Sequence, residues 1–248
     1  MRKSIFGLSA IALAALSTPA FAQDEPSDGF TISGSAAVVS DYRFRGVSQN
    51  QETFAIQGGL TVTHDSGFYI GTWGSSIDFG GAGEGSAEID IVAGYATEFT
   101  PGWTVDGGVT YYWYPGNDKG TDFDIVEPYL SVSGTVGPIS TKVGAAFAPD
   151  QASLGKNSSL YLYTDNSLAI PNTPFTLKTH LGYAKCDCGL GGPDGDALDW
   201  MGGVDMTWKN LTFGVAYVST DWSKKRFGGL KEAAGADSTV VFSLSASF

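Results

Sequence analysis

From about residue 30 to its end, the chain alternates apolar and polar residues with a period of two. That period places successive side chains on opposite faces of a strand. The C-terminal segment shows it most plainly. Val240, Phe242, Leu244, Ala246 and Phe248 fall on one face, and Thr239, Ser243, Ser245 and Ser247 on the other, with Val241 out of phase. Ile32, Ala36, Val38, Tyr42 and Phe44 alternate with Ser33, Ser35, Asp41, Arg43 and Arg45. This predicts a first strand that runs on to about residue 45. Segments opening near Thr53, Glu88, Trp103, Phe175, Leu198 and Leu211 repeat the pattern; those near 67–78, 122–136, 138–147 and 158–169 alternate less cleanly. The prediction is about twelve strands. No segment after residue 22 repeats apolar residues at helical spacing for three turns.

The connections sort by parity. Short ones near His64–Ser66, Thr100–Gly102, Gly137–Pro138, Pro171–Pro174 and Lys209–Asn210 alternate with long ones. The long ones fall near Val47–Gln51, Phe79–Gly85, Pro115–Thr121, Ala148–Asn157, Lys185–Asp196 and Asp221–Ala236. They are rich in Gly, Asp, Asn and Ser, which tolerate turn geometry. A soluble sandwich has no reason to sort its loops this way. An up-and-down barrel in an outer membrane does, with short periplasmic turns and longer outer loops.

Period alone leaves two owners for the apolar face: a soluble barrel turns it inward, a membrane barrel outward. Three features favour lipid outside. The opposite face carries Ser, Thr, Gly and charged groups that suit a wet lumen. Trp103, Trp113, Trp208 and Tyr183 sit near strand ends, where amphipathic rings prefer the lipid–water interface. Phe248 ends the last strand with apolar residues two, four and six places upstream, the mark that outer-membrane assembly machinery reads. The expected fold is all-β: an up-and-down antiparallel transmembrane β-barrel. The expected partners are the lipid bilayer, the assembly machinery through Phe248, and small solutes.

Composition narrows the class further. Only 16% of residues are charged, against roughly 25% in soluble domains. Acids outnumber Lys and Arg by 26 to 14, which argues against a nucleic-acid partner, since such binding needs cations to displace counterions from phosphates. Arg2 and Lys3, the apolar stretch Ile5–Leu16 and the small residues Ala20 and Ala22 read as a cleaved signal peptide over 1–22. The barrel is then expected over 23–248, in the cell outer membrane. After residue 22 no apolar run is long enough for a helical span.

Ser40-Asp41-Tyr42-Arg43-Phe44-Arg45-Gly46-Val47-Ser48-Gln49 resembles the opening motif of the TorF-like family of proteobacterial outer-membrane barrels assigned as porins. Gln57-Gly58-Gly59, His64 to Tyr69, Gly71 to Ser75, Glu88-Ile89-Asp90 with Gly94-Tyr95, and Tyr112 to Gly116 continue the likeness. The resemblance implies an outer-membrane barrel and no particular substrate.

Arg43 and Arg45 are the first candidates for chemistry. On a polar face they would form a cationic rung that favours anionic solutes; alternatively they pair with Asp41, Glu88 or Asp90 and plug the lumen. Lys142, Lys178 and His180 are expected to line the same space, with Glu98, Asp106, Glu127, Asp165, Asp199 and Asp205 as the anionic counterpart. Such a mixture predicts weak ion selectivity. A twelve-strand barrel lies between side-chain-filled eight-strand barrels and open sixteen-strand porins, so a narrow channel and a non-conducting, partner-binding barrel both stand as functions. A weaker reading is an outer-leaflet lipid hydrolase built on His64, Ser66 and Asp78. Strand rise separates Asp78 from the other two by roughly 30 Å, so no catalytic residue is expected. The weakest reading is a soluble periplasmic barrel. Cys186 and Cys188, one residue apart in a glycine-rich loop, suggest a small disulfide ring. They are only half a zinc site, and neither a metal nor a cofactor is expected.

Overall fold

The computed structural model describes residues 29–80, 85–116, 123–192, 194–222 and 235–248. The segment 1–22, read above as a signal peptide, lies outside them. Among the described residues fourteen strands follow one another: β1 (Phe30–Val39), β2 (Arg43–Phe44), β3 (Val47–Ser48), β4 (Ala55–His64), β5 (Phe68–Ser76), β6 (Ala87–Thr100) and β7 (Trp103–Trp113). Then come β8 (Ile125–Val136), β9 (Ile139–Gln151), β10 (Asn157–Ala169), β11 (Phe175–Lys185), β12 (Asp196–Trp208), β13 (Leu211–Thr220) and β14 (Thr239–Ser247). All except β2 and β3 form one closed barrel of antiparallel neighbours, twelve strands in all.

Closure happens where β1 meets β14, over Ser35–Ser247 to Val39–Ser243. Phe248 extends this seam beyond the strand. Its N–H donates to the Gly34 carbonyl at 3.0 Å, and the Gly34 N–H donates back at 2.9 Å. The phenyl ring lies over Gly34, where any side chain would collide with it. The terminal aromatic residue therefore locks the last strand onto the first.

The apolar face points outward. Phe242 and Leu244 are 57% and 43% exposed, while Ser243 and Ser245 face the interior. Trp113 and Trp208 project from strand ends at opposite rims. A belt of exposed Ile, Leu, Val and Phe encircles the molecule, and the inward face carries Asp, Glu, Thr, Ser and Tyr. This is the inside-out distribution of a barrel whose solvent is lipid.

Tyrosines explain why three of the four less regular segments, those of β5, β8 and β10, alternate poorly in sequence. Tyr69, Tyr129, Tyr161 and Tyr163 point inward, although Tyr reads as apolar in a period count. Three of them lie opposite a glycine on the neighbouring strand: Tyr69 over Gly94, Tyr129 over Gly108 and Tyr163 over Gly144. In each pair a Cβ on the glycine would strike the phenol. The missing side chains are the space in which the rings lie, a cross-strand aromatic–glycine pairing.

Two expectations need correction. The first barrel strand ends at Val39, not near residue 45. Residues 40–54 leave the wall and fold back into the barrel, carrying Tyr42 and Phe44 into the lumen rather than to lipid. The fourth long connection, expected over Ala148–Asn157, shrinks to 152–156 because β9 and β10 stay paired through Gln151 and Asn157.

Leu181, half-exposed in the middle of β11, tests the facing. Leu181→Arg should lower unfolding stability in lipid vesicles by about 2–4 kcal/mol. Thr176→Arg, facing inward opposite Asp205, should cost clearly less in the same urea titration.

Candidate functional site

The lumen at its long-loop end is occupied by a hairpin. β2 and β3 pair as Arg43–Ser48 and Phe44–Val47, joined by Arg45 and Gly46, both at positive φ (49° and 81°). A two-residue turn with both centres left-handed suits the twist of a tight hairpin. Gly46 is also required by space: a Cβ there would meet Thr220 at 2.9 Å and Asp199 at 3.1 Å on the facing wall.

The base of the hairpin is dry. Tyr42 packs on Val39, Ala55, Ile77, Ala216, Val218 and Val241, all turned inward. This accounts for Val241 in the terminal alternation: it faces the lumen because the hairpin covers it. Backbone ties hold both flanks. Ser48 N–H donates to Gly235 at 2.8 Å, and Asp78 N–H donates to Gln49 at 2.9 Å.

Arg43 and Arg45 therefore sit on the hairpin, not on a wall strand as the pattern suggested. Arg43 is fully buried. It donates to Asp41, to the carbonyls of Gly235 (2.6 Å) and Asp237 (2.8 Å), and to Glu52 at the rim (3.0 Å). It clamps the hairpin to the chain entering β14. Arg45 reaches across the lumen. Its Nη2 donates to Glu127 on β8 at 2.7 Å, and its guanidinium lies 4.1 Å from the centre of the Tyr161 ring on β10. In barrel order β8 and β10 stand opposite β1, so this one side chain bridges the lumen. Tyr112 also donates to Glu127, at 3.0 Å.

Below the hairpin lies a second polar layer. His180 Nδ1 is 2.6 Å from Asp165 and Nε2 is 3.0 Å from Asp199. Its ring stacks with Tyr161 and Tyr163 at 6.3 and 6.5 Å between centres. Lys178 pairs with Asp205 at 2.6 Å. Lys142 lies opposite Asp165 in register. Tyr69 donates to Asp106 at 2.6 Å and meets the Tyr129 hydroxyl. Between hairpin and wall, a cavity lined in part by Tyr42, Arg43, Gln57, Lys178 and Asp205 has about 20 Å³ of water-accessible space, room for a water molecule. Glu88 and Asp90 face inward from the start of β6, and Tyr42 donates to Glu88 at 3.2 Å.

The remaining candidates fall elsewhere. Glu98 is not part of this layer: it is exposed beside the β6–β7 turn and accepts from the Gly102 N–H at 2.8 Å. His64 and Ser66 touch at 2.6 Å in the β4–β5 turn. Asp78 lies beyond the far end of β5, bonded to the hairpin, so the three residues do not converge. Cys186 and Cys188 are joined by a disulfide at the end of β11. The Tyr161–Tyr163–His180 stack was missed in sequence. Its signal was there in the phase: Tyr161, Tyr163 and Asp165 occupy alternate positions of β10, the same face as an acid.

Residues 23–248 match the model of a family described as bacterial protein of unknown function (Gcw_chp). The chain belongs to this family. No curated protein is similar enough to count as a match. Among solved structures, the NanC porin aligns with a TM-score of 0.57 at 11% identity, over 88% of this chain and 99% of that one. A second, described under "Unveiling the Mechanism Behind the in-meso Crystallization of Membrane Proteins", aligns with a TM-score of 0.51 at 12% identity, over 87% and 83%. At such identities the likeness shows fold alone: this Gcw_chp chain is a porin-like barrel.

Removing Arg45 tests the bridge. Arg45→Met leaves Glu127 buried without its cation and should cost about 3 kcal/mol. The readout is the temperature at which the detergent-held barrel loses its compact electrophoretic form. The double variant Arg45→Met/Glu127→Leu should recover part of that loss.

Proposed function

We propose that this Gcw_chp protein is exported by its 1–22 segment to the cell outer membrane, where it acts as a narrow passive channel for small hydrophilic solutes. In the conformation described, the 40–54 hairpin closes its outer mouth. The observation that carries the reading is the lumen itself. Outside the apolar footing of the hairpin it is lined by hydrogen-bonding and charged side chains, while the outer surface is apolar. A barrel that served only as a scaffold could fill its centre with hydrocarbon, as small soluble barrels do. The likeness of residues 40–49 to the opening motif of the TorF-like porins supports the same reading, and the porin-like fold agrees with it.

A second reading has its own support. Arg43, Arg45, Lys178 and His180 are each paired with carboxylates inside the barrel. Such pairs would also stabilise a barrel that conducts nothing and presents its long loops to partners. No catalytic role is proposed: Asp78 stands apart from the His64–Ser66 contact.

Bilayer recording separates the two. The wild-type protein should show small, brief conductance steps. Arg43→Ser/Arg45→Ser should release the hairpin and raise open probability by roughly tenfold, the effect of about 1.4 kcal/mol on a two-state equilibrium. If both proteins are folded and inserted yet silent, the channel reading is rejected in favour of the second.

A further inference from the structure

Every lumen cation whose ion pair is described above has its own carboxylate partner, and Lys142 lies opposite Asp165. The reverse does not hold. Glu88 and Asp90, two residues apart on the inward face of β6, make no ion pair among the described residues. They are 2% and 1% exposed. Glu88 accepts from the Tyr42 hydroxyl. Asp90 is buried with neither carboxylate oxygen reached by a donor. Its neighbour on the same face of β6 is Glu88, another acid.

The walls of this site are aromatic. In register, Asp90 lies between Trp73 on β5 and Tyr112 on β7. Tyr42 meets the Trp73 ring edge-on at 5.4 Å between centres, so the hairpin roofs the pair. Two adjacent buried carboxylates must either hold a shared proton or keep a positive charge beside them. Aromatic faces favour a cation in the same place. Among the described residues no side chain supplies it: Arg45, on the same hairpin, is already taken up by Glu127 and Tyr161.

We infer that Glu88 and Asp90 form a binding station for a small monovalent cation beneath the hairpin, and that the lumen consequently selects small cations over anions. The anionic preference that Arg43 and Arg45 suggest in sequence is cancelled by their partners Asp41 and Glu127. Among the described residues, what remains uncompensated beneath the hairpin is negative, and paired carboxylates in a confined lumen concentrate cations. The station stands on the geometry alone; the selectivity rests also on the channel reading above.

Thermal unfolding of the membrane-extracted protein in detergent tests the station. It is followed in KCl and in N-methylglucamine chloride at equal ionic strength. The wild type should unfold several degrees higher in KCl, saturably with K⁺, and Asp90→Asn should abolish the difference while still folding. Glu88→Gln, which keeps an acceptor for Tyr42, serves if Asp90→Asn does not assemble, and should weaken the K⁺ effect. Equal midpoints in the two salts, or an undiminished K⁺ effect in the variants, would overturn the station. Reversal potentials in a KCl gradient test the selectivity. Cation preference in the wild type that falls by about half in Glu88→Gln supports it, and anion preference overturns it. A silent barrel that retains its K⁺-dependent stability would reject the channel reading and leave the station in place.

Discussion

Backbone pairing is the constraint from which the rest follows. In hydrocarbon an unpaired N–H or C=O has no water to turn to, so a sheet can cross a bilayer only when it has no edge. Here the last edge is removed at the β1–β14 seam, which Phe248 and Gly34 extend through reciprocal backbone bonds. Closure also fixes the facing of every wall residue. Once the ring is shut, each position points either to lipid or to the lumen, and a slip of one residue in any strand would exchange the two sets.

The lumen then poses the opposite problem. It collects the polar face of twelve strands in a space too narrow to be bulk water and too charged to be dry. The solution is layered. Tyrosines opposite glycines fill the cross-section without bringing apolar surface to the centre. Carboxylates meet His180 and Lys178 in the middle layer, and Arg45 spans the outer layer from the hairpin to Glu127. A hairpin is the simplest device for delivering arginines to the centre, because a wall strand of this length cannot reach across the barrel. Its own footing is apolar, and the wall residues beneath it, Val39, Ala216, Val218 and Val241, depart from the polar rule of the inner face for that reason.

The hairpin coincides with residues 40–49, the segment that most resembles a known family motif. Arg43, Arg45 and Gly46 each have a distinct task there: a clamp, a bridge, and a turn that fits against Thr220 and Asp199. The exactness demanded of so short a segment contrasts with the wall strands, where many apolar residues serve equally well against lipid.

The sequence by itself determined the twelve strands, their antiparallel order, and the outward face of the clearly alternating strands. All of these depend on local periodicity or on chain distance, which a single sequence records. The structure alone decided where the first strand stops. Tyr42 and Phe44 keep perfect phase with Val38, and a hairpin inside a polar lumen alternates just as a wall strand does. Only the packing of Tyr42 on β4, β13 and β14 separates the two, and those contacts join residues far apart in the chain. The same holds for the lumen charges. Their inward direction is periodic and legible, but whether an arginine stands free or bridges to Glu127 depends on which strands face each other across the barrel. Closure sets that relation, and no local pattern contains it.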